Sequence, residues 1–319
     1  MISTLARKSW YLVLPAVLLL GAVGYRAGDR GGAPVDQDSA AAAIAVNAAP
    51  GLPATASAAL PTPQRERAGA VGPGLPLDLR AGFEATSDLY AYAQQLYQAG
   101  DAGNAEATWL LSRVYDYCAG YARDPAGYAL DSQQLAGLGR DAVPGLARAR
   151  ARVGRRCAGF TAADGLGRGL TLAQRKQAAD AGNLAAEASL LAAGQPLYAD
   201  AGYRRGLVER VVASQDPEAF LALSPAMGAS AASDEAYRGL VAGDQFSQLA
   251  WQLAACELGL ACGPDSVLMN SYCANGGVCS RDPGQDFMTF VFDAAVPRQG
   301  VEKMNELVSR LRRRHGVAR

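Results

Sequence analysis

The sequence predicts an all-α protein, on three observations. Apolar residues recur at helical rather than alternating spacing through most of the chain after residue 81. The tetrad Asp-Ala-Gly-Asn, which can close one helix and open the next, occurs twice. The one stretch with strand-like composition, Phe287 to Phe292, is too short and isolated to build a sheet.

The first element precedes the folded part. Arg7 and Lys8 lead into an uncharged apolar run from Trp10 to Tyr25, 16 residues or about 24 Å as a helix, short of the roughly 30 Å of a hydrocarbon core. Ala22-Val23-Gly24 offers the small residues of a signal-peptide cleavage site. Trp10, Tyr11 and Tyr25 sit where interfacial aromatic residues anchor a retained helix, with Arg26 and Arg30 beyond. Residues 1–26 are therefore a signal-anchor or a signal peptide, and both place the rest of the chain outside the cytoplasm. From 27 to 80 Ala, Gly and Pro dominate, a composition that cannot bury enough surface to offset its ordering entropy. As a flexible tether its 54 residues reach roughly 40 Å, and a tether is most useful when its start is held. Anchoring in the inner membrane with the C-terminal domain in the periplasm is thus the expectation, and a soluble periplasmic protein after cleavage the alternative.

The folded domain is placed at 81–319, with a subdivision possible near 225–235. Its first helix carries Leu89, Tyr92, Ala93, Leu96 and Tyr97 on one face, and its second Leu110, Leu111, Val114, Tyr115 and Cys118. Further helices are predicted over 131–138, 143–152, 171–181, 184–193, 203–214, 217–223, 234–241, 246–258, 264–273 and 301–314. Ser87, Thr171, Ser233 and Pro264 mark N-terminal ends, because side-chain oxygens satisfy free amides and proline has none to satisfy.

Asp101-Ala102-Gly103-Asn104 recurs 79 residues later as Asp180-Ala181-Gly182-Asn183. Alanine follows each asparagine by three positions, at Ala107 and Ala186, and leucine by seven, at Leu111 and Leu190. Gly103 and Gly182 can close a helix in the left-handed conformation, and Asn104 and Asn183 can cap the next. Alanine one turn further in lets two helices approach closely while leucine fills the core. A weaker third copy begins at Gly243-Asp244, with Trp251 seven positions on.

These corners resemble the Sel-like repeats, relatives of the tetratricopeptide repeat. Lys176, Ala178, Ala179, Ala181, Gly182, Asn183, Ala186 and Leu190 match one corner, and Ala102, Gly103, Asn104, Ala107, Leu110, Leu111 and Tyr115 the other. The resemblance covers two corners. It departs in spacing, because the usual period is about half of 79, so either an intervening repeat between Asp124 and Leu170 has decayed or the array is a generic one of helical hairpins. It implies an α-solenoid-like array of antiparallel helix pairs with adaptor or regulatory roles, and it supplies no catalytic residue.

Cys118, Cys157, Cys256, Cys262, Cys273 and Cys279 form an even set in a chain read as exported, so disulfides are expected. Gly259, and Gly276 with Gly277, can turn the chain back so that Cys256 meets Cys262 and Cys273 meets Cys279, which leaves Cys118 for Cys157. Pairing of Cys262 with Cys273 is disfavoured because the helix between them holds its ends about 15 Å apart. The stretch Cys273 to Cys279 also looks like part of an epidermal-growth-factor module, but no cysteine follows to complete it, and it reads as a stapled turn.

Chemistry is scarce. Net charge is zero, which gives no field for nucleic acid. Only Lys8, Lys176 and Lys303 are lysines, an arginine excess that reads as coding bias of a GC-rich bacterial genome. His315, the only histidine, lies in an arginine-rich end, so serine and cysteine triads lose their usual base. No phosphate loop, dinucleotide fingerprint or Cys-x-x-Cys metal spacing occurs, and no cofactor is expected. Glu106, Glu187, Glu209 and Glu257 are carboxylates that nothing singles out. The expectation is a non-catalytic adaptor or regulator that binds another envelope protein. The alternative is an envelope glycan (peptidoglycan) hydrolase using paired carboxylates.

Overall fold

Helix α1 (Leu79–Ala85) opens with an Asp78 cap and buries Phe83. The computed structural model describes residues 78–137 and 143–313. The segment expected to enter the membrane, the expected linker up to residue 77, and His315 lie outside them. Among the described residues there are thirteen α-helices and no strand, and all fall in one compact unit, Ala70–Arg319. Leu79 and Arg80, read from sequence as the end of the linker, already belong to α1.

Helices α2 (Leu89–Asp101) and α3 (Ala105–Ala122) meet at the first predicted corner. Gly103 has φ +92° and donates to Gly100 O, while the Asn104 amide donates to Ala99 O, which closes α2. The Asn104 side-chain oxygen then accepts from Ala107 N at 3.1 Å and opens α3. The second corner joins α6 (Arg168–Asp180) to α7 (Leu184–Ala192) in the same way: Gly182 has φ +90° and Asn183 accepts from Ala186 N at 2.9 Å. Each asparagine thus serves both helices, its amide ending one and its side chain starting the other. Ala107 and Ala186 are fully buried at the crossings, with Leu111 and Leu190 beside them in the core.

A third corner of this kind was invisible in the sequence. It joins α8 (Ala201–Ser214) to α9 (Pro217–Leu223), with Gln215 at φ +52° in place of glycine and Asp216 capping α9 through Glu218 N. Ala219 and Leu223, three and seven positions after Asp216, are fully buried. Gly243 (φ +103°) and Asp244, which accepts from Ser247 N at 2.7 Å, open α10 (Gln245–Glu257) with Trp251 fully buried. The segment before it, 234–241, is not the expected helix: a 3-10 turn (Glu235–Tyr237) gives way at Gly239, whose φ is +80°.

Helix α3 packs along α6, α7 along α9, and α9 along α10, which also receives α13 (Val301–Arg312). Between the first two corners, α4 (Pro125–Gly137) and α5 (Val143–Arg156) pack on one another, and α5 leans on α11 (Val267–Ala274). All four predicted start markers move: Asp88 rather than Ser87 caps α2, Asp234 rather than Ser233 caps the 3-10 turn, α6 begins at Arg168, which leaves Thr171 buried inside it, and α11 is capped by Ser266 rather than begun at Pro264. The strand-like stretch Phe287 to Phe292 lies in helix α12 (Phe287–Ala295), capped by Asp286.

A Cβ on Gly103 or Gly182 would meet nothing within 4 Å, so only the left-handed backbone calls for glycine there. A Cβ on Gly120, in the last turn of α3, also meets nothing, and its φ is not positive. Gly182→Ala is therefore expected to cost about 1–2 kcal/mol, whereas Gly120→Ala should add up to about 1 kcal/mol by helix propensity. Urea denaturation of both variants checks the opposite signs, and two losses of equal size would contradict the corner geometry.

Candidate functional site

All six cysteines lie in pairs at disulfide distance, Cys118 with Cys157, Cys256 with Cys262 and Cys273 with Cys279, and none is free. The turn-backs expected at glycine are present, with φ +106° at Gly259 and +70° at Gly277. Cys118 and Cys157, both fully buried, tie α3 to the end of α5.

The corner residues converge. Glu106, in the first turn of α3, accepts from Asn183 Nδ2 at 2.8 Å and from Arg80 Nε at 2.6 Å. Arg80 also donates to Asp216, the cap of α9, at 2.5 and 3.2 Å. One guanidinium from α1 therefore links the α2–α3 and α8–α9 corners, and Asn183 joins the α6–α7 corner to the same carboxylate. Of the other glutamates noted in the sequence, Glu187 holds Arg210 and the Tyr203 hydroxyl, Glu209 pairs with Arg205, and Glu257 with Arg312.

A polar cleft of about 780 Å³ is walled by α3, α4, α5 and α11. Helical spacing makes it: Arg113, Asp116, Tyr117, Gly120 and Arg123 recur at three and four residues along α3 and its C-terminal cap, facing Tyr128 and Asp131 of α4. Most of its charges are occupied. Arg113 is ion-paired with Glu218 and lies over the rings of Phe83 and Trp109, 5.3 and 5.7 Å from their centroids. Asp116 accepts from Arg175 at 2.9 Å. Asp124 caps α4 by accepting from Gly127 N at 2.9 Å. Arg150 stacks 3.8 Å above the Tyr128 ring, donates to Ser132 Oγ at 3.0 Å and stands 3.7 Å from Asp131.

Among the charged and phenolic lining groups, two are not so engaged. Arg123 is exposed and makes no ion pair with any described residue. Tyr128 is 9% exposed, and its hydroxyl is buried without a hydrogen-bond partner. Burial pushes this phenol up to about 12, with Arg150 opposing, so the hydroxyl keeps its proton at physiological pH and stands as a donor.

Behind the α11 wall, the Glu84 carboxylate accepts from Val267 N at 2.9 Å. Burial raises its pKa above the ordinary carboxylate value, with the near charge of Glu218 adding to the rise, against the Val267 amide and the Arg113 and Arg156 guanidiniums. A group with a raised folded pKa contributes stability that is complete below its unfolded pKa and is lost as pH rises through the folded one. Glu84→Gln is accordingly expected to melt above the wild type at pH 7 and level with it near pH 3.5. Thermal scans across this range check it, and a variant that melts lower at neutral pH would refute it.

Among the described residues no group of three or more His, Cys, Asp or Glu side chains could hold a metal ion, and no helix is long and apolar enough to cross a membrane. Comparison of the chain with protein-family models, curated proteins and solved structures returned no match. Over the described residues the protein is thus defined by its own geometry as all-helical and disulfide-braced, with a polar cleft walled by four of its helices.

Proposed function

We propose that this chain is a non-catalytic helical-repeat protein, anchored in the inner membrane by residues 1–26 and exposed to the periplasm, that binds another envelope protein in the cleft between α3, α4, α5 and α11. The observation that carries the reading is the state of the cleft's carboxylates. Asp116 is held by a guanidinium, Asp131 stands beside another, and Asp124 caps a helix. A glycan hydrolase needs one carboxyl poised as an acid and another as base or nucleophile, and three engaged carboxylates suit recognition better. Export is favoured by the pairing of all six cysteines. The Sel-like reading draws on the corners at Asp216 and Asp244, which follow Asn183 by 33 and 61 residues and likewise open a helix with a side-chain cap.

The test places a photo-crosslinking residue at Gly120, where a side chain enters open space, and irradiates intact cells. A discrete protein adduct, absent when the crosslinker stands at the exposed Tyr97 and when the first 30 residues are deleted, is expected. Soluble muropeptides released from purified peptidoglycan by the protein, with no protein adduct, would replace this reading with the hydrolase.

A further inference from the structure

We propose that Asn275 is a modification site, where the side-chain amide is shed as ammonia and a carboxylate is left on the cleft wall, at a rate set by the Cys273–Cys279 link. The asparagines of the chain are Asn47, Asn104, Asn183, Asn270, Asn275 and Asn305, and only Asn275 is followed by glycine. That neighbour matters because the attacking group is the next backbone nitrogen. After base removes its proton, Gly276 N bonds to Asn275 Cγ, the Cγ–Nδ2 bond breaks, Nδ2 leaves with the returned proton as ammonia, and a five-membered imide remains. Water then opens the imide, giving aspartate when the new bond is cut and isoaspartate when the backbone bond is cut. Water is the sole co-reactant. A side chain at position 276 would crowd the attack, and glycine carries none.

Asn104 and Asn183 are committed as helix caps, and Asn270, 5% exposed, donates to the Tyr117 hydroxyl. Asn275 and Gly276 are instead exposed where α11 ends, and Asn275 lines the cleft. The turn that presents them also restrains them. The ψ of Asn275 is −36°, a helical value that turns Gly276 N away from Cγ. Gly276 N donates to Ser271 O at 3.2 Å, which keeps its proton in place. Gly277 N and Val278 N close the turn on Cys273 O and Tyr272 O, both at 3.0 Å, and the disulfide ties its two ends. Opening the link frees rotation about ψ and releases the nucleophile. Three arginines and three aspartates line the cleft, so its formal charge is balanced, and conversion leaves it net negative. A basic occupant then gains and an acidic one loses. Conversion itself does not depend on what the cleft binds.

The experiment incubates the full-length protein in detergent at 37 °C, at pH 7.4 and at pH 9, and maps its tryptic peptides by mass spectrometry, with isoaspartate detected by enzymatic methylation. The peptide holding Asn275 is expected to exchange NH for O, faster at pH 9, while Asn47 and Asn305 keep their amides. The folded protein should convert several-fold more slowly than the same chain unfolded in urea with its disulfides reduced. Cys273→Ala combined with Cys279→Ala should convert several-fold faster than the wild type, and an unchanged Asn270 in that variant shows that its fold is intact. Conversion at Asn47 or Asn305 that keeps pace with Asn275 would overturn the assignment of the site. Folded and urea-unfolded chains reacting at one rate would overturn the restraint, as would a link-free variant no faster than the wild type. An Asn275 amide that survives even in urea would overturn the proposal outright.

Discussion

Glu218→Ala is expected to lower the unfolding free energy by about 3–5 kcal/mol, the usual cost of breaking a buried ion pair from one side. Glu218 is 4% exposed, and its partner Arg113 has a side chain only 15% exposed. Removing the carboxylate leaves a largely buried guanidinium at the edge of the cleft, over the rings of Phe83 and Trp109, whose faces cannot replace it. The cost lies in the stranded charge rather than in the pair, so the double change Glu218→Leu with Arg113→Met should recover most of the loss. Guanidinium chloride curves for the two forms decide the matter. A single variant that loses less than about 1 kcal/mol, the ordinary range of an exposed pair, would mean that the site is wetter than its burial indicates.

Opening the Cys118–Cys157 link by alanine substitution is expected to cost about 4 kcal/mol, from the 39-residue separation it closes. The Cys256–Cys262 and Cys273–Cys279 links each span six residues, for which the same loop-entropy relation gives about 2 kcal/mol. The ranking is the sharper expectation. The long link also holds α5, and with it Arg150, against α3, so its loss should loosen the cleft as well as the fold. Calorimetry of the three paired-alanine variants tests the order. If either short link proves as costly as the long one, the stabilisation does not come from constraint of the unfolded chain.

The corners were legible because their signal is local and chemical. Glycine at 103 and 182 can take the left-handed backbone, and an asparagine beside it can cap, so both tetrads could be read directly. Gln215-Asp216 does the same work without that signal. Gln215 holds its conformation by donating to Val212 O at 2.7 Å and to Leu311 O at 3.3 Å, and Leu311 is 96 positions away. The cleft was illegible for a related reason: its walls come from 113–131, from Arg150 and from 267–275, and only tertiary packing brings them together. Phe287 to Phe292 shows composition misleading in the other direction. Aromatic and β-branched residues suggested a strand, but Asp286 caps the segment, and Phe287, Phe290 and Val291 bury one helical face. The pairing of the cysteines could be reasoned out because two glycine turn-backs left one combination for the remaining pair.

Arg80 stands in the first turn of α1, and its guanidinium is fastened to Glu106 and Asp216. Any tension transmitted along the chain from its N-terminal side therefore enters the domain at a rivet rather than at a free end. The load divides at once between two carboxylates that are 110 positions apart in the chain, and through Glu106 it reaches Asn183. Pulling would shear α1 across three helix corners instead of peeling one helix from its neighbour. In a mechanical experiment the Arg80→Ala form should yield at lower force, even where its equilibrium stability has changed little.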